Sequence, residues 1–493
     1  MEKIMTSFIQ AITNTSRTQN GALTHTSSAD ALVDWFFQSG AMRHWEEDAI
    51  WKCWVQAFDA NPQAAMRLLM YTRDVRQGQG ERKVPRIVLR RLAMDPQRYQ
   101  ALAQNLRYIP EFGRWDDLFV CFNSDLEDQA LSLISNALSE GNALCAKWMP
   151  REKSKRMIAG IPGYVAARKI REFMGISKRA YRKMRTRLNS VVETQMCAKE
   201  WDQIEFSKIP SQCALRSRKA FYKNCPERYT EYVEAVAAGT EKVNAQTLYP
   251  HQLVSLMLKQ LGGVIYTTDY ETEKELIKAQ WAALPNYMEN STCRLLPVID
   301  VSGSMHSTAS PSPIEVALGL GIYIAERNVG PFQDTFMTFS DQPEVASLTG
   351  ADIWEKVNNL TNTSWGFSTD IEKTFKEILH FATLHNVPED EMPEKILIMS
   401  DMEFNVAVHD DVTTFQTIKE KYKKAGYRLP QIVFWNLAAS GSNIPVRSDD
   451  MGAALISGFS TSILKQLLQT GGISPIELVL EVINDERYAC INI

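Results

Sequence analysis

Directly after an apolar run, Leu295 to Ile299, the chain reads Asp300-Val301-Ser302-Gly303-Ser304. One carboxylate and two hydroxyls at alternate positions can turn inward on a single point. Such oxygens are hard ligands, and a small set of them completed by waters suits Mg2+ or Mn2+ at roughly 2.0 to 2.2 Å, whereas zinc would ask for His or Cys. Two further loops offer oxygens of the same kind: Thr369-Asp370, ahead of a helical stretch beginning at Ile371, and Ser400-Asp401, straight after the apolar run Ile396 to Met399. Asp370 has two readings, a support for the site or simply the first-turn acid of its helix. An aspartate in such a loop could also act as a nucleophile, but that chemistry needs a nearby general acid, and Ser302 stands where one is expected. Binding rather than turnover is therefore the expectation, and no catalytic residue is assigned.

The elements that would position these loops are legible after about residue 290. Strand-length apolar runs at Leu295–Ile299, Phe336–Phe339, Ile396–Met399 and Ile432–Trp435 alternate with helical stretches such as Ile314–Glu326 and Ile371–Phe381. This pattern predicts a doubly wound, mainly parallel sheet, in which ligands bind where loops leave the carboxyl ends of the strands. The three oxygen-bearing loops all fall at strand ends or helix starts. Together they resemble the metal-ion-dependent adhesion site of von Willebrand factor A domains. That resemblance, covering residues 291–493, implies a ligand set of Asp300, Ser302, Ser304, Thr369 and Asp401 around Mg2+ or Mn2+, with one coordination place left for a partner's acidic side chain or phosphate oxygen.

Residues 1–290 have another texture: apolar positions at i, i+3, i+4 and i+7, broken at Gly or Pro. Ser28 followed by Ala29, Leu32, Val33, Phe36 and Phe37 predicts a serine-capped helix ending at Gly40. Many short amphipathic helices without a strict period predict an irregular, HEAT-like α-solenoid. The 493 residues, 45% apolar and 23% charged, exclude a disordered or low-complexity chain. Eight scattered cysteines without a C-x-x-C pair, together with the lack of a signal-like start or an ~18-residue apolar run, predict a reducing, cytoplasmic setting away from membranes.

The overall charge of −4 conceals an asymmetry: about −12 lies in residues 291–493 and about +8 in residues 1–290, since −12 + 8 = −4. Between Lys147 and Arg187 there are 14 Lys or Arg against only Glu152 and Glu172. The candidate polyanion contacts in that stretch are Lys147, Arg151, Lys153, Lys155, Arg156, Arg168, Lys169, Lys178, Arg179, Arg182, Lys183, Arg185 and Arg187. Tyr164, Phe173 and Tyr181 interleave with them and could stack on unpaired bases. Arg73, Arg76, Arg82 and Lys83, set around Gly78 and Gly80, form a second candidate; its alternative is a helix–helix turn closed by an Arg–Asp bridge. Arg114 with Asp116 and Asp117 reads as a structural clamp.

Three of these stretches, Asn20-Gly21-Ala22, R-D-x-R-x-G-x-G-E-R from Arg73 and I-P-E-F-G-R-W-D-D-L from Ile109, resemble landmarks of the TROVE module of the Ro autoantigen family. Ala146-Lys147-Trp148-Met149-Pro150-Arg151, Tyr181-Arg182-Lys183, Val192-Glu193 and Leu248-Tyr249-Pro250-His251 are similar to a family of Ro-like proteins in plants, phages and giant viruses. The spacings differ from those of Ro, and the basic section 147–228 has no residue-by-residue counterpart there. The resemblance implies a non-enzymatic ribonucleoprotein component whose helical repeats form a ring holding small structured or misfolded RNA. The alternative is an assembly module whose cation grips an acidic protein partner without RNA.

Overall fold

The structure is a computed structural model that describes residues 14–261, 270–307, 310–339, 343, 345–361, 370–405, 414–439, 441, 443–469 and 474–493. Its strands, in chain order, are β1 (Thr15–Arg17), β2 (Leu23–His25), β3 (Met157–Ile158), β4 (Ile161–Pro162), β5 (Leu295–Asp300), β6 (Thr335–Phe339), β7 (Val345–Ser347), β8 (Lys395–Ser400), β9 (Gln431–Asn436) and β10 (Ala453–Ser457). A mostly helical stretch thus precedes a six-stranded, mostly parallel sheet. By packing, the chain divides into two interleaved units: Met1–His44, Leu248–Thr267 and Leu284–Asn484 form one, and Trp45–Thr247, Thr268–Ala283 and Asp485–Ile493 form the other.

In the first unit the sheet runs in the order β10-β9-β8-β5-β6-β7, parallel throughout except for the β6–β7 edge pair. The four expected apolar runs are its β5, β6, β8 and β9. Every residue of β5 and β8 is buried, as parallel strands covered on both faces require. The chain steps from β5 to β6 on one side and resumes at β8 on the other, so the connection direction reverses between β5 and β8. That reversal opens a crevice at their carboxyl ends.

Helix Pro313–Arg327 leaves the loop after β5 through a capping box, with proline at its first turn and Ser312 and Glu315 each satisfying the other's backbone N–H. It is buried along nearly its whole length because two glycines admit neighbours on opposite sides. A Cβ at Gly321 would lie 2.4 Å from the Ile299 side chain of β5, and one at Gly319 would lie 2.5 Å from the backbone of His251 in helix Pro250–Leu261.

The N-terminal piece belongs to this unit too. Its first described helix runs Ala31–Ser39 and is capped by Asp30, which accepts from the N–H groups of Leu32 and Val33 at 2.8 and 3.1 Å. This corrects the expected Ser28 cap: Ala29 is left-handed (φ 68°), and the Ser28 hydroxyl instead donates to the Asp30 carbonyl. Gly40 beyond the helix packs its backbone against that of Gly458, after β10.

The second unit is a succession of helices from Glu47–Ala60 to Pro226–Ala237, joined by Tyr270–Ala282 and by the C-terminal tail. The tail is anchored by Asp74, which accepts from Arg487 (2.8 Å) and from the Tyr488 hydroxyl (3.0 Å), while Tyr488 stacks on Phe112.

Candidate metal centre and nucleic-acid interface

β5 ends on Asp300 and β8 ends on Ser400, next to each other across the crevice. The Asp300 carboxylate is fully buried; its Oδ2 accepts from the Ser400 hydroxyl at 2.6 Å and its Oδ1 from the Ser302 N–H at 3.0 Å. The Ser302 and Ser304 hydroxyls lie 3.1 Å apart. Asp401 follows β8, and its Oδ1 accepts from the Glu403 N–H at 3.2 Å. Asp401 Oδ2 is buried and has no hydrogen-bond partner among the described residues. The turn after it is held by Met402 in the left-handed region (φ 67°), with its N–H donating to Ser400 Oγ at 3.0 Å.

Two carboxylates drawn out of water at one point resist full ionisation. Burial, and then the charge of Asp401, push Asp300 up to about 6. Burial raises Asp401 as well, against the lowering pull of Ser304 and nearby N–H groups. A divalent cation would relieve both effects and take the orphaned oxygen, so this donor set fits the Mg2+ or Mn2+ the sequence suggested. Among the described residues no three His, Cys, Asp or Glu side chains cluster at a metal-binding spacing. The candidate centre has two carboxylates, its remaining donors being hydroxyls. Thr369 lies outside the described residues. Asp370 is the N-cap of helix Ile371–Leu384, accepting from the Lys373 N–H at 2.9 Å, which is the simple capping role.

Two roles were not legible in the sequence, that of Ser400 as the partner of Asp300 and that of Glu403. Ser400 holds Asp300 directly. Glu403, also buried, ties the loop after β8 to the N-terminal hairpin: its carboxylate accepts from the Gln19 N–H at 2.7 Å and from Asn443 at 2.8 Å, while Asn20 donates to its carbonyl at 2.7 Å. The Thr18 hydroxyl donates to the Phe404 carbonyl at 2.6 Å, and Gly21 bridges to Asn405. The Asn20-Gly21-Ala22 landmark is thus a brace for the third loop. No local signal announces a partner more than 380 residues away.

In the helical unit, one of the four candidates around Gly78 is taken up by the fold and three stay at the surface. Arg73 is buried and pairs with Asp117 at 2.8 Å, which withdraws it from any RNA contact; the cause is that Asp117, itself fully buried, needs cations. Asp117 also takes Arg86 and the Arg114 N–H, and although burial raises its carboxyl, Arg73 and Arg86 outweigh that and hold it below the ordinary range. Arg114 pairs with Asp116 at 2.9 Å and lies over the Trp148 ring at 3.9 Å, the expected clamp. A Cβ at Gly78 would sit 2.0 Å from the Tyr71 carbonyl, so this glycine serves close backbone packing. Arg76, Arg82 and Lys83 are exposed, with Arg76 donating to the Glu111 carbonyl.

The basic stretch behaves differently. Lys147 pairs with Glu193 (3.0 Å), Lys169 with Glu127 (2.6 Å), and half-buried Arg185 donates to the Met149 carbonyl (3.2 Å). Arg151, Lys153, Lys155, Arg156, Arg168, Lys178, Arg179, Arg182, Lys183 and Arg187 are exposed and make no ion pair among the described residues. Helix Lys178–Leu188, capped by Ser177, contains five of them and no acid. Tyr181 on that helix is buried with its hydroxyl on the Pro150 carbonyl at 3.0 Å, so it is a core residue and not a stacking platform. Tyr164 and Phe173 are exposed.

A helical array combined with a mostly parallel sheet, bearing a buried acidic-hydroxyl loop cluster on the latter and unpaired cations on the former, defines a two-part class of protein. The chain belongs to the family of the domain of unknown function DUF2828, whose model matches residues 18–130 and 141–293; the domain of unknown function DUF7788 matches 294–488, beginning at β5. It is 29% identical over 520 residues to uncharacterized protein L728 of Acanthamoeba polyphaga mimivirus, covering 95% of this chain and 87% of that protein. Among solved structures it is similar to the Ro (RSR) protein of Deinococcus radiodurans, at 12% identity and a TM-score of 0.48, over 93% of this chain and 100% of that one. Among the described residues no helix is long and apolar enough to cross a membrane.

Proposed function

We propose that this protein is a non-catalytic RNA-binding protein of Ro-like kind, holding small structured or misfolded RNA on the cations of its helical unit. The observation that carries this reading is helix Lys178–Leu188 with Lys178, Arg179, Arg182, Lys183 and Arg187 exposed and without an ion pair among the described residues. A surface of like charges is costly to hold without a counter-charge, and a polyanion supplies one while releasing condensed counterions. The motif likeness to the TROVE module supports the same reading. In the sheet unit Asp300, Ser302, Ser304, Asp401 and Thr369 would hold Mg2+ or Mn2+, which when bound would offer a Lewis-acidic place to an incoming oxygen. The orphaned Asp401 Oδ2 also favours a second reading, in which that place takes an acidic side chain of a partner protein and RNA has no part.

The deciding experiment is the nucleic-acid content of the purified protein, read as the 260/280 nm absorbance ratio, then nuclease treatment and sequencing of protected fragments. Protected RNA whose retention falls steeply with salt and persists in chelator is the expected result. Clean protein that ignores structured RNA at low salt, yet captures an acidic partner only with Mg2+, would establish the second reading instead.

A further inference from the structure

The corner between β3–β4 and the helix that follows presents apolar surface and positive charge together. The hairpin turns through Ala159 and Gly160, both left-handed (φ 51° and 88°), and runs on into helix Gly163–Phe173. Two backbone bonds fold the approaching strand against the helix start: Gly163 N–H donates to the Arg156 carbonyl at 2.8 Å and Tyr164 N–H to the Ser154 carbonyl at 2.7 Å. Gly163 permits the approach, because a Cβ there would meet the Ser154 side chain at 2.8 Å. Lys155 and Arg156 are thereby held beside Tyr164, and Arg168 follows Tyr164 one helical turn later on the same face. Met157 is 59% and Tyr164 46% exposed. The Tyr164 ring and hydroxyl make no hydrogen bond or ring contact among the described residues. Glu172, one turn beyond Arg168, is occupied by Arg171 at 3.0 Å.

Packing does not explain a tyrosine left open at a corner whose neighbouring residues include three exposed cations without an ion pair among the described residues. An aromatic face flanked by phosphate-binding charge is what an unstacked nucleotide needs: the base lies on the ring while its neighbouring phosphates reach the cations. Duplex RNA keeps its bases stacked inside and cannot use the ring. Resting on the RNA-binding reading above, we infer that Tyr164, with Met157, Lys155, Arg156 and Arg168, is a stacking platform that selects unpaired RNA segments over duplex.

The test uses the full chain with two probes at low salt, an unstructured oligouridylate and a blunt-ended RNA duplex of equal length. Tyr164→Ala should weaken the oligouridylate about tenfold, within the range of a single base–aromatic stack, and leave the duplex within about twofold. Tyr164→Phe should retain the wild-type affinity, since it keeps the ring. Lys155→Gln with Arg156→Gln should weaken both probes and flatten the salt dependence, whereas Tyr164→Ala should not change its slope. Equal losses for both probes, or no loss for either, would overturn the platform while leaving RNA binding intact. A wild-type protein that binds neither probe would overturn the RNA-binding reading and the platform with it.

Discussion

At the scale of single residues, the centre between β5 and β8 is held in tension. Asp300 and Asp401 are buried together, with hydroxyls and N–H groups offsetting only part of the cost of their charge. Replacing Asp300 by Asn removes one of two like charges and keeps a group of the same shape. In chelator the Asp300→Asn variant should melt at or above the wild-type temperature, by an amount worth on the order of 1 to 2 kcal/mol. In millimolar Mg2+ the order should reverse, because only the wild type gains from binding. Equal Mg2+-induced shifts of the two proteins in a thermal melt would remove Asp300 from the ligand set. His251 gives a separate prediction. Burial, and then the charge of Arg43, lower its pKa from 6.5 to about 3, and its ring lies against Tyr249 and Phe459. Below pH 6.5 the unfolded chain therefore takes up a proton that the folded chain refuses. Stability from this site is complete above about pH 6.5 and falls as pH drops towards 3. Between pH 7 and pH 5 the loss should be about 2 kcal/mol, and denaturant titrations of His251→Phe should show a correspondingly smaller loss over that interval.

At the scale of elements, helix Pro313–Arg327 joins the candidate centre to its support, with Gly321 against β5 and Gly319 against helix Pro250–Leu261. A methyl group at Gly319 has nowhere to go but into the His251 backbone, which cannot yield as a side-chain tip would. Gly319→Ala should therefore cost about 1 to 3 kcal/mol despite its better helix propensity, where an exposed helical glycine would gain from the same change. A melt equal to or above wild type would mean that the two helices separate freely. What the sequence disclosed here follows from period and burial. The runs that became β5, β8 and β9 were readable because parallel strands covered on both faces must be continuously apolar. β10, the run Ala453–Ser457, and the three-residue β7 went unread, one lacking a large-residue signature and the other too short for a period to show. That Asp300, Ser302 and Asp401 fall at or just after the ends of β5 and β8 was legible because each follows a strand-length apolar run directly. Ser400 as the partner of Asp300, and Gln19 and Asn20 as partners of the Glu403 segment, depend on which strands become neighbours, which spacing alone does not encode. The helix cap slipped from Ser28 to Asp30 because both are good cap residues and only the turn at Ala29 decides between them.

At the scale of the whole molecule, a net charge of −4 would suggest indifference to polyanions, yet the excess of acid lies after residue 290 and the excess of base before it. Affinity for nucleic acid is set by the cations within reach of phosphates, since charges farther than a Debye length, about 8 Å at physiological ionic strength, are largely screened. Arg73 shows why a census of basic residues overstates that number: it is bound to Asp117 and contributes nothing outside. The exposed cations of helix Lys178–Leu188 make no such ion pair among the described residues. Changing Lys178, Arg179, Arg182 and Lys183 to Gln should leave the fold intact, as all four are exposed and glutamine is nearly as good a helix former. It should reduce the slope of log affinity for RNA against log salt by about 3, from four lost phosphate contacts at 0.7 to 0.9 each. Affinity at low salt should fall together with the slope, and the two proteins should converge as salt is raised. If the slope is unchanged while affinity drops, these side chains act through shape rather than charge, and the polyanion surface must be sought among Arg151, Lys153, Lys155 and Arg156 instead.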